Sequence, residues 1–537
     1  MAIWATLDDY LPAQPGQGLV GRSVASYSFL LALLRYSHFD EFHFFLVNRA
    51  HMDAFRATHE KVFDTLGVWD KIKLHERLEL PRALTENDYT VFHLSDHITH
   101  FSSLCFLRNR YGKFPVSASI HSLSYQRFMR TYTEYGLGGI CESDVLLCSS
   151  PAGKEVVQKC LADVQARSSV KVPELSFEVM PLGIDGQNLP KGQTGGITLR
   201  EESQTDSDAV IGLYFGRFSD VDKMDLLPVL NTFASVAREN PKAHLWLAGA
   251  SQEKEYLQIL YLWIKYLNLG GRVSVFENPS EDDKWRLYHE ADFFVSLSDN
   301  PQETFGITLI EAMAFGLPLL VSDYDGYKNL VADTTALKVP TLWNKFPVFE
   351  ELSPFLDERT YHRYLGQSLS FDFGVLRGHM DALYTNSEQR AILGANARRE
   401  FMQKYDYRVI VPALEHLWRE AKNNFTLEDL SVEDPTAMRF STVFEHYPTA
   451  FLSDEQGLER TAFAREWLAQ GKRYPLLFAL DSIFSWEEAV GLLGAIEGSC
   501  LVEDIVDRYS GEKWKCRYMI SWLLKHGFLE ITGEKYA

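Results

Sequence analysis

The sequence has few cysteines, no long apolar run, no surplus of positive charge and no low-complexity tract. Its six cysteines (Cys105, Cys141, Cys148, Cys160, Cys500 and Cys516) fall at no CxxC or metal-ligand spacing, which excludes a disulfide framework and predicts reduced thiols. The most apolar stretch, YSFLLALLRY at 27–36, is too short to span a bilayer, and nothing at the start reads as a signal peptide. A cytoplasmic protein, at most peripheral to a membrane, is expected. Against 73 acidic residues stand only 53 basic ones, a formal charge of −20 that disfavours nucleic acid or an anionic membrane as the main partner. An anionic ligand would need a local cluster of cations.

What is present is an ordinary globular composition, 46% hydrophobic and 13% aromatic, over 537 residues, enough for about three or four domains. Up to about residue 400, short apolar runs alternate with longer amphipathic segments. The runs are FHFFLV (42–47), TVFHL (90–94), VSASIHS (116–122), DVLLCSS (144–150), FEVMPLGID (177–185), VIGLYFGR (210–217), AHLWLAGA (243–250), VSVFEN (273–278), FFVSLS (293–298) and PLLVSD (318–323). Continuous apolar strands with helices between them predict parallel sheets of βα units, an α/β doubly wound design. These are too many strands for one open sheet, and the polar, Gly-rich stretch 187–208 reads as a link. Two Rossmann-like domains are therefore expected, 1–190 and 191–400, with ligands beyond the carboxyl ends of their strands. The amphipathic segment 401–424 is expected to form a helix returning to the first domain. The opening strand, AIWATLDDYL, is impure.

The tail, 425–537, loses the alternation. Its last part, 485–533, reads as three short helices and a strand, the order of a winged helix. Six Lys/Arg against nine Asp/Glu over 486–537 favour packing or partner docking over DNA binding.

The segment DNPQETFGITLIEAMAFGLPLLVSD (299–323) sets Glu303 and Glu311 into small and apolar residues. A helix beginning between Phe305 and Ile307, just past a strand, offers free N–H groups and a favourable dipole to an anion, and Gly306 allows close approach. Either glutamate alone is equally well a cap or a solvated helix residue. Together, one in the loop and one on the helix, they could reach opposite ends of an extended ligand, each accepting two hydroxyls. Arg217, directly after a strand, and Lys223, six residues on, are the cations a diphosphate requires.

The fragments FGRFSDVDKMDLL, HLWLAGA, VSVFENPSEDDKWRLYHEADFFVSLSD and QETFGITLIEAMAFGLPLLVSDYDGYKNLV resemble, in order and spacing, the donor domain of family 4 retaining GT-B glycosyltransferases, the glycosyl transferases group 1. The likeness covers about 10–423 and is strongest over 210–335. Glu303 and Glu311 meet its E-x7-E signature. The resemblance implies that Arg217 and Lys223 hold the donor diphosphate and stabilise its departure. It implies that Glu303 and Thr304 face the donor sugar, that Phe305, Gly306 and Ile307 give backbone contacts to sugar and phosphate, and that Glu311 binds the ribose. His121, after VSASI, matches a histidine near the anomeric carbon. The bland reading of His121, a strand-end or core histidine, stays open. His93, with Asp96 nearby, is read as structural or acceptor-lining.

Members of the family often carry a Gly-Gly pair in the first loop. Here PAQPGQGLVGRS separates Gly16, Gly18 and Gly21, of which Gly18 is the candidate donor contact, and Arg22 follows as a possible cleft charge. The implied activity is metal-independent and needs no cofactor. A sugar moves from a UDP- or GDP-linked donor to an acceptor hydroxyl, on a saccharide, glycolipid, small molecule or peptide. A disaccharide phosphorylase or synthase on the same fold, or a non-catalytic sugar-nucleotide-binding regulator, are the alternatives. A homo-oligomer or partner protein could dock through 425–537.

Overall fold

In a computed structural model of the chain, residues 1–12, 21–172, 174–190, 197–251, 254–426 and 430–533 are described, 21–24 by backbone alone. Two parallel sheets carry the fold. The first has seven strands, β1 (Ile3–Thr6), β2 (Glu41–Leu46), β3 (Ile72–Glu76), β4 (Val91–Leu94), β5 (Val116–Ile120), β6 (Val145–Cys148) and β7 (Ser176–Val179), in the order β3-β2-β1-β4-β5-β6-β7. The second has six, β8 (Val210–Phe215), β9 (Ala243–Gly249), β10 (Val273–Glu277), β11 (Phe293–Ser296), β12 (Leu319–Ser322) and β13 (Ala336–Val339), in the order β10-β9-β8-β11-β12-β13. The expected pair of Rossmann-like sheets is present. In each the strand order reverses once, between β1 and β4 and between β8 and β11, and such a switch point opens a crevice at the carboxyl ends of the strands.

Side-chain alternation explains why the second sheet is buried on both faces. Leu245, Leu247, Phe293 and Val295 pack on one side with Leu230, Phe233, Met380 and Leu383. Trp246, Phe294, Leu319 and Val321 pack on the other with Leu309, Ile310 and Met313. Both faces must be apolar, so the strands read as continuous apolar runs.

IWAT, within the expected opening strand, is a complete strand, fully buried in the middle of its sheet. The structure adds elements that the sequence pattern did not show. IKLHE forms the edge strand β3, half-buried throughout. After β13 an antiparallel ribbon, β14 (Thr341–Trp343) with β15 (Leu369–Phe371), brackets the helices Pro347–Leu352 and Glu358–Gln367. The helix Tyr407–Asn423 packs along the helix Gly21–Tyr36, with Trp418 against His93 at 5.2 Å between ring centroids.

By compactness the chain divides into two units. One comprises 1–43, 62–73 and 84–434; the other comprises 44–61, 74–83 and 435–537. In the second unit the helices Trp486–Gly494, Val502–Arg508 and Lys513–Lys525 precede the strand Leu529–Thr532, which pairs antiparallel with Gly457–Arg460, a strand the sequence pattern did not show. Trp486, Leu493, Met519, Trp522 and Phe528 fill its core. Among the described residues no helix is long and apolar enough to cross a membrane.

Candidate active site

The β8–β11 switch point gathers most of the residues singled out in the sequence. Beyond β8 come Gly216 and Arg217. Here β8 and β9 end so close together that a Cβ on Gly249, at φ +151°, would lie 1.6 Å from the Gly216 carbonyl oxygen, so glycine is required. The loop continues to Lys223. Arg217 donates to Asp222 Oδ2 at 2.6 Å, and Lys223 Nζ donates to Glu303 Oε2 at 2.8 Å. The two cations are thus together at one strand end, each held by a carboxylate.

Beyond β11 the chain turns through Asp299 and Asn300, both buried, to Glu303 and Thr304. Burial pushes the Glu303 carboxyl up, but the Lys223 ammonium, its hydrogen bond, the Phe305 N–H and the Arg217 charge together hold it below the usual range. Glu303 is therefore an anion. Burial pushes the Asp299 carboxyl well above its ordinary value; its Oδ2 accepts from the Asp225 N–H at 2.9 Å while its Oδ1 has no hydrogen-bond partner among the described residues. Asp325 is pushed up by burial and by the Glu303 charge, and its carboxyl accepts from Ser298. Next to one charged glutamate stand two acids that burial favours in the neutral form.

The helix Ile307–Ala314 begins here, capped by Gly306 at φ +107°, where a Cβ would meet the Tyr327 ring at 2.5 Å. Phe305 is buried against Tyr405, so only its backbone faces the loop. Glu311 lies one turn into the helix and is buried. Its Oε1 accepts from Lys284 Nζ at 2.7 Å and its Oε2 from the Tyr288 hydroxyl at 2.9 Å. Burial comes first and the Glu311 charge second in pushing the Tyr288 hydroxyl far above its usual range, which keeps it a proton donor. Glu303 and Glu311 thus stand on either side of the helix start, each with its own lysine.

The first sheet faces this loop. His121 follows β5; its Nε2 contacts the Ser95 carbonyl at 2.8 Å and its own carbonyl accepts from Thr304 Oγ1 at 2.5 Å. Ser150 Oγ donates to the Thr304 carbonyl at 2.7 Å, and Gln302 Nε2 to the Tyr125 hydroxyl at 2.9 Å. Behind His121 a cavity at the ends of β4 to β6 is lined by Phe29, His93, Leu147, Met180, Ile410 and Leu414 among others. His93 lies within β4, fully buried, and burial foremost, then His121, lowers its pKa to about 3, so it is neutral. Asp96 does not serve it; its Oδ1 closes a turn on the Ile98 and Thr99 N–H groups. Gly16 and Gly18 lie outside the described residues, as does the side chain of Arg22.

The sequence reading missed Lys284, Tyr288, Asp222, Gln302 and the helix Glu358–Gln367. Lys284 and Tyr288 had a signal, since four residues apart on one helix they share a face. The helix Glu358–Gln367 reaches both sides of the cleft. Arg363 grips Asp220 at 2.8 and 3.2 Å, Gln367 donates to Asp225 at 3.1 Å, His362 Nε2 lies 3.2 Å from the Ser124 carbonyl and Glu358 pairs with Arg127 at 3.0 Å.

Residues 197–346, which include Arg217, Lys223, Glu303 and Glu311, match the model of the family Glycosyl transferases group 1. Over these residues the chain is similar to that family. Its two Rossmann-like sheets match a crystal structure of a glycosyltransferase from Rickettsia africae with a TM-score of 0.53 at 15% identity, over 79% of this chain and 99% of that one, so the likeness is of GT-B fold. Over 266 residues the chain is 26% identical to the alpha-monoglucosyldiacylglycerol synthase of Streptococcus pneumoniae, covering 47% of this chain and 55% of the relative. Over 194 residues it is 29% identical to the mannosylfructose-phosphate synthase of Agrobacterium fabrum, covering 35% of this chain and 41% of the relative. The chain spans about half the length of these curated relatives.

Proposed function

We propose that the chain is a retaining, metal-independent glycosyltransferase that moves a sugar from a nucleoside-diphosphate sugar to an acceptor hydroxyl. The observation that carries this reading is the joint placement of Arg217, Lys223, Glu303 and the Gly306-capped helix start at one switch point, with Glu311 a turn further on. Matches to a glycosyl transferases group 1 domain and the names of the two synthases support sugar transfer over a purely regulatory role.

In this reading the diphosphate lies between the two glutamates, on the helix N-terminus and the two cations. Negative charge grows on the diphosphate as its bond to the anomeric carbon breaks. Arg217 and Lys223, already fixed by Asp222 and Glu303, meet that charge without reorganising, which lowers the barrier. They supply the positive charge that a metal ion supplies elsewhere. The acceptor oxygen attacks from the side the diphosphate leaves, and the departing phosphate oxygen takes its proton. No enzyme nucleophile is consumed and the anomeric configuration is kept. Glu303 accepts sugar hydroxyls, and Glu311 the ribose hydroxyls. His121 closes the acceptor side of the reacting carbon, and the Thr304 bridge to it shuts out water that would hydrolyse the donor. We assign 425–537 to packing or partner docking.

A thermal-shift panel of UDP- and GDP-sugars tests the reading. A donor at a hundred times its Kd stabilises the chain by about 2.7 kcal/mol. A panel in which no nucleotide sugar raises Tm overturns it.

A further inference from the structure

Lys284 is a cation of this region that the diphosphate reading does not use. It projects from the helix Glu281–Glu290 and is only 12% exposed. Its Nζ lies 2.7 Å from Glu311 Oε1, 4.2 Å from the Trp285 ring centroid and 5.8 Å from that of Phe215, the last residue of β8 before Gly216 and Arg217. Its other acidic neighbour, Glu281, is at 3.8 Å and itself 68% exposed. An ammonium has three protons to donate, and the contact to Glu311 uses one. Lys284 therefore stands beside Glu311 with donor capacity to spare, next to the strand end where a nucleotide's first phosphate would arrive.

The chemistry of a diol gives this pair a use. Each ribose hydroxyl donates one hydrogen bond and accepts others. A carboxylate can only accept and an ammonium can only donate, so neither alone satisfies a hydroxyl, whereas the two together satisfy both of its roles. Glu311 without Lys284 would also leave a charge uncompensated among the rings of Trp285, Tyr288 and Phe315. We propose that Lys284 is a specificity-determining residue that acts with Glu311 as a donor–acceptor pair reading the ribose hydroxyls of the bound nucleotide. This rests on the nucleotide-sugar reading above and adds to it the residue that distinguishes a ribonucleotide from its deoxy analogue. A site built to hydrogen-bond a hydroxyl rejects the analogue lacking it, because its own polar groups are then left unpaired.

Isothermal titration of the full chain with UDP and GDP and with their 2′,3′-dideoxy analogues tests the proposal. The wild type is expected to prefer the ribonucleotide by a factor on the order of a hundred. In Lys284→Met the preference is expected to fall below about tenfold, with dideoxy binding within about threefold of wild type because the diphosphate end is untouched. A merely structural lysine gives another pattern, an equal loss for both nucleotides, and that result overturns the proposal. So does a Lys284→Met protein with the wild-type preference intact. Should Lys284→Met fail to fold, Lys284→Ala, which also removes the donor, decides by the same ratio. If the wild type binds neither UDP nor GDP, the nucleotide reading itself fails, a result distinct from binding without discrimination.

Discussion

At the switch point of the first sheet, His93 and His121 stand among Phe29, Leu147, Met180 and Leu414, and the His93 ring is neutral. At that of the second sheet, Arg217 meets Asp222, Lys223 meets Glu303 and Lys284 meets Glu311. The same topology has been finished in two opposite chemistries. Ion pairs at a strand end suit a ligand of fixed charge, whereas an apolar chamber with neutral donors and acceptors selects by shape. In the proposed function the second sheet would hold the charged donor and the first the acceptor.

The comparison can be broken first at the second sheet. Glu303→Gln and Lys223→Met are each expected to lower sugar transfer about a thousandfold, about 4 kcal/mol of barrier, with the far-ultraviolet circular dichroism unchanged. Steady-state kinetics of both variants checks this. Equal effects on kcat/KM from two oppositely charged side chains would mark them as one unit.

The first sheet has its own buried ion pair, and that one is expected to be structural. Arg108 grips both oxygens of Asp144 at 2.8 Å, both side chains are fully buried, and Asp144 also takes the N–H groups of Val116 and Cys141. Arg108→Met leaves a buried carboxylate unpaired and is expected to cost about 3 kcal/mol in denaturant unfolding. The surviving folded fraction should keep its turnover per molecule, unlike Lys223→Met.

His93 sharpens the contrast through pH. Its folded pKa of about 3 lies below its ordinary 6.5, so between these values the unfolded chain binds a proton that the folded one does not. Stability is therefore lost as pH falls below 6.5. His93→Leu is expected to remove about 2 kcal/mol of the loss measured between pH 6.5 and 4.5. Smallest of all should be Arg127→Ala. Its pair with Glu358 is solvent-exposed, and removing it is expected to change stability by about 0.5 kcal/mol or less.

How much was legible in the sequence follows the same division. Arg217, Lys223, Glu303, Gly306 and Glu311 lie close together along the chain around two strand ends, and a strand end is visible as the point where an apolar run stops. Their grouping could therefore be read from order and spacing. Lys284 could not be assigned to Glu311, because the pair joins positions 27 residues apart through helix packing. The helix Glu358–Gln367 was missed for a related reason, since it lies inside a ribbon of two three-residue strands too short to show a period. The opening strand looked impure because only four of its residues, IWAT, are strand, and burial makes them a central one. In the first sheet the cavity is assembled from many elements, each contributing one or two apolar side chains that look like core.

The most direct test of the account is the anomeric form of the sugar released when the full chain and its preferred nucleotide sugar are incubated and followed by proton NMR, beside the Glu303→Gln variant. The account expects nucleoside diphosphate and a sugar that first appears with the donor's own anomeric configuration, with release about a thousandfold slower in the variant. A sugar that first appears inverted, or release unchanged in Glu303→Gln, would contradict it.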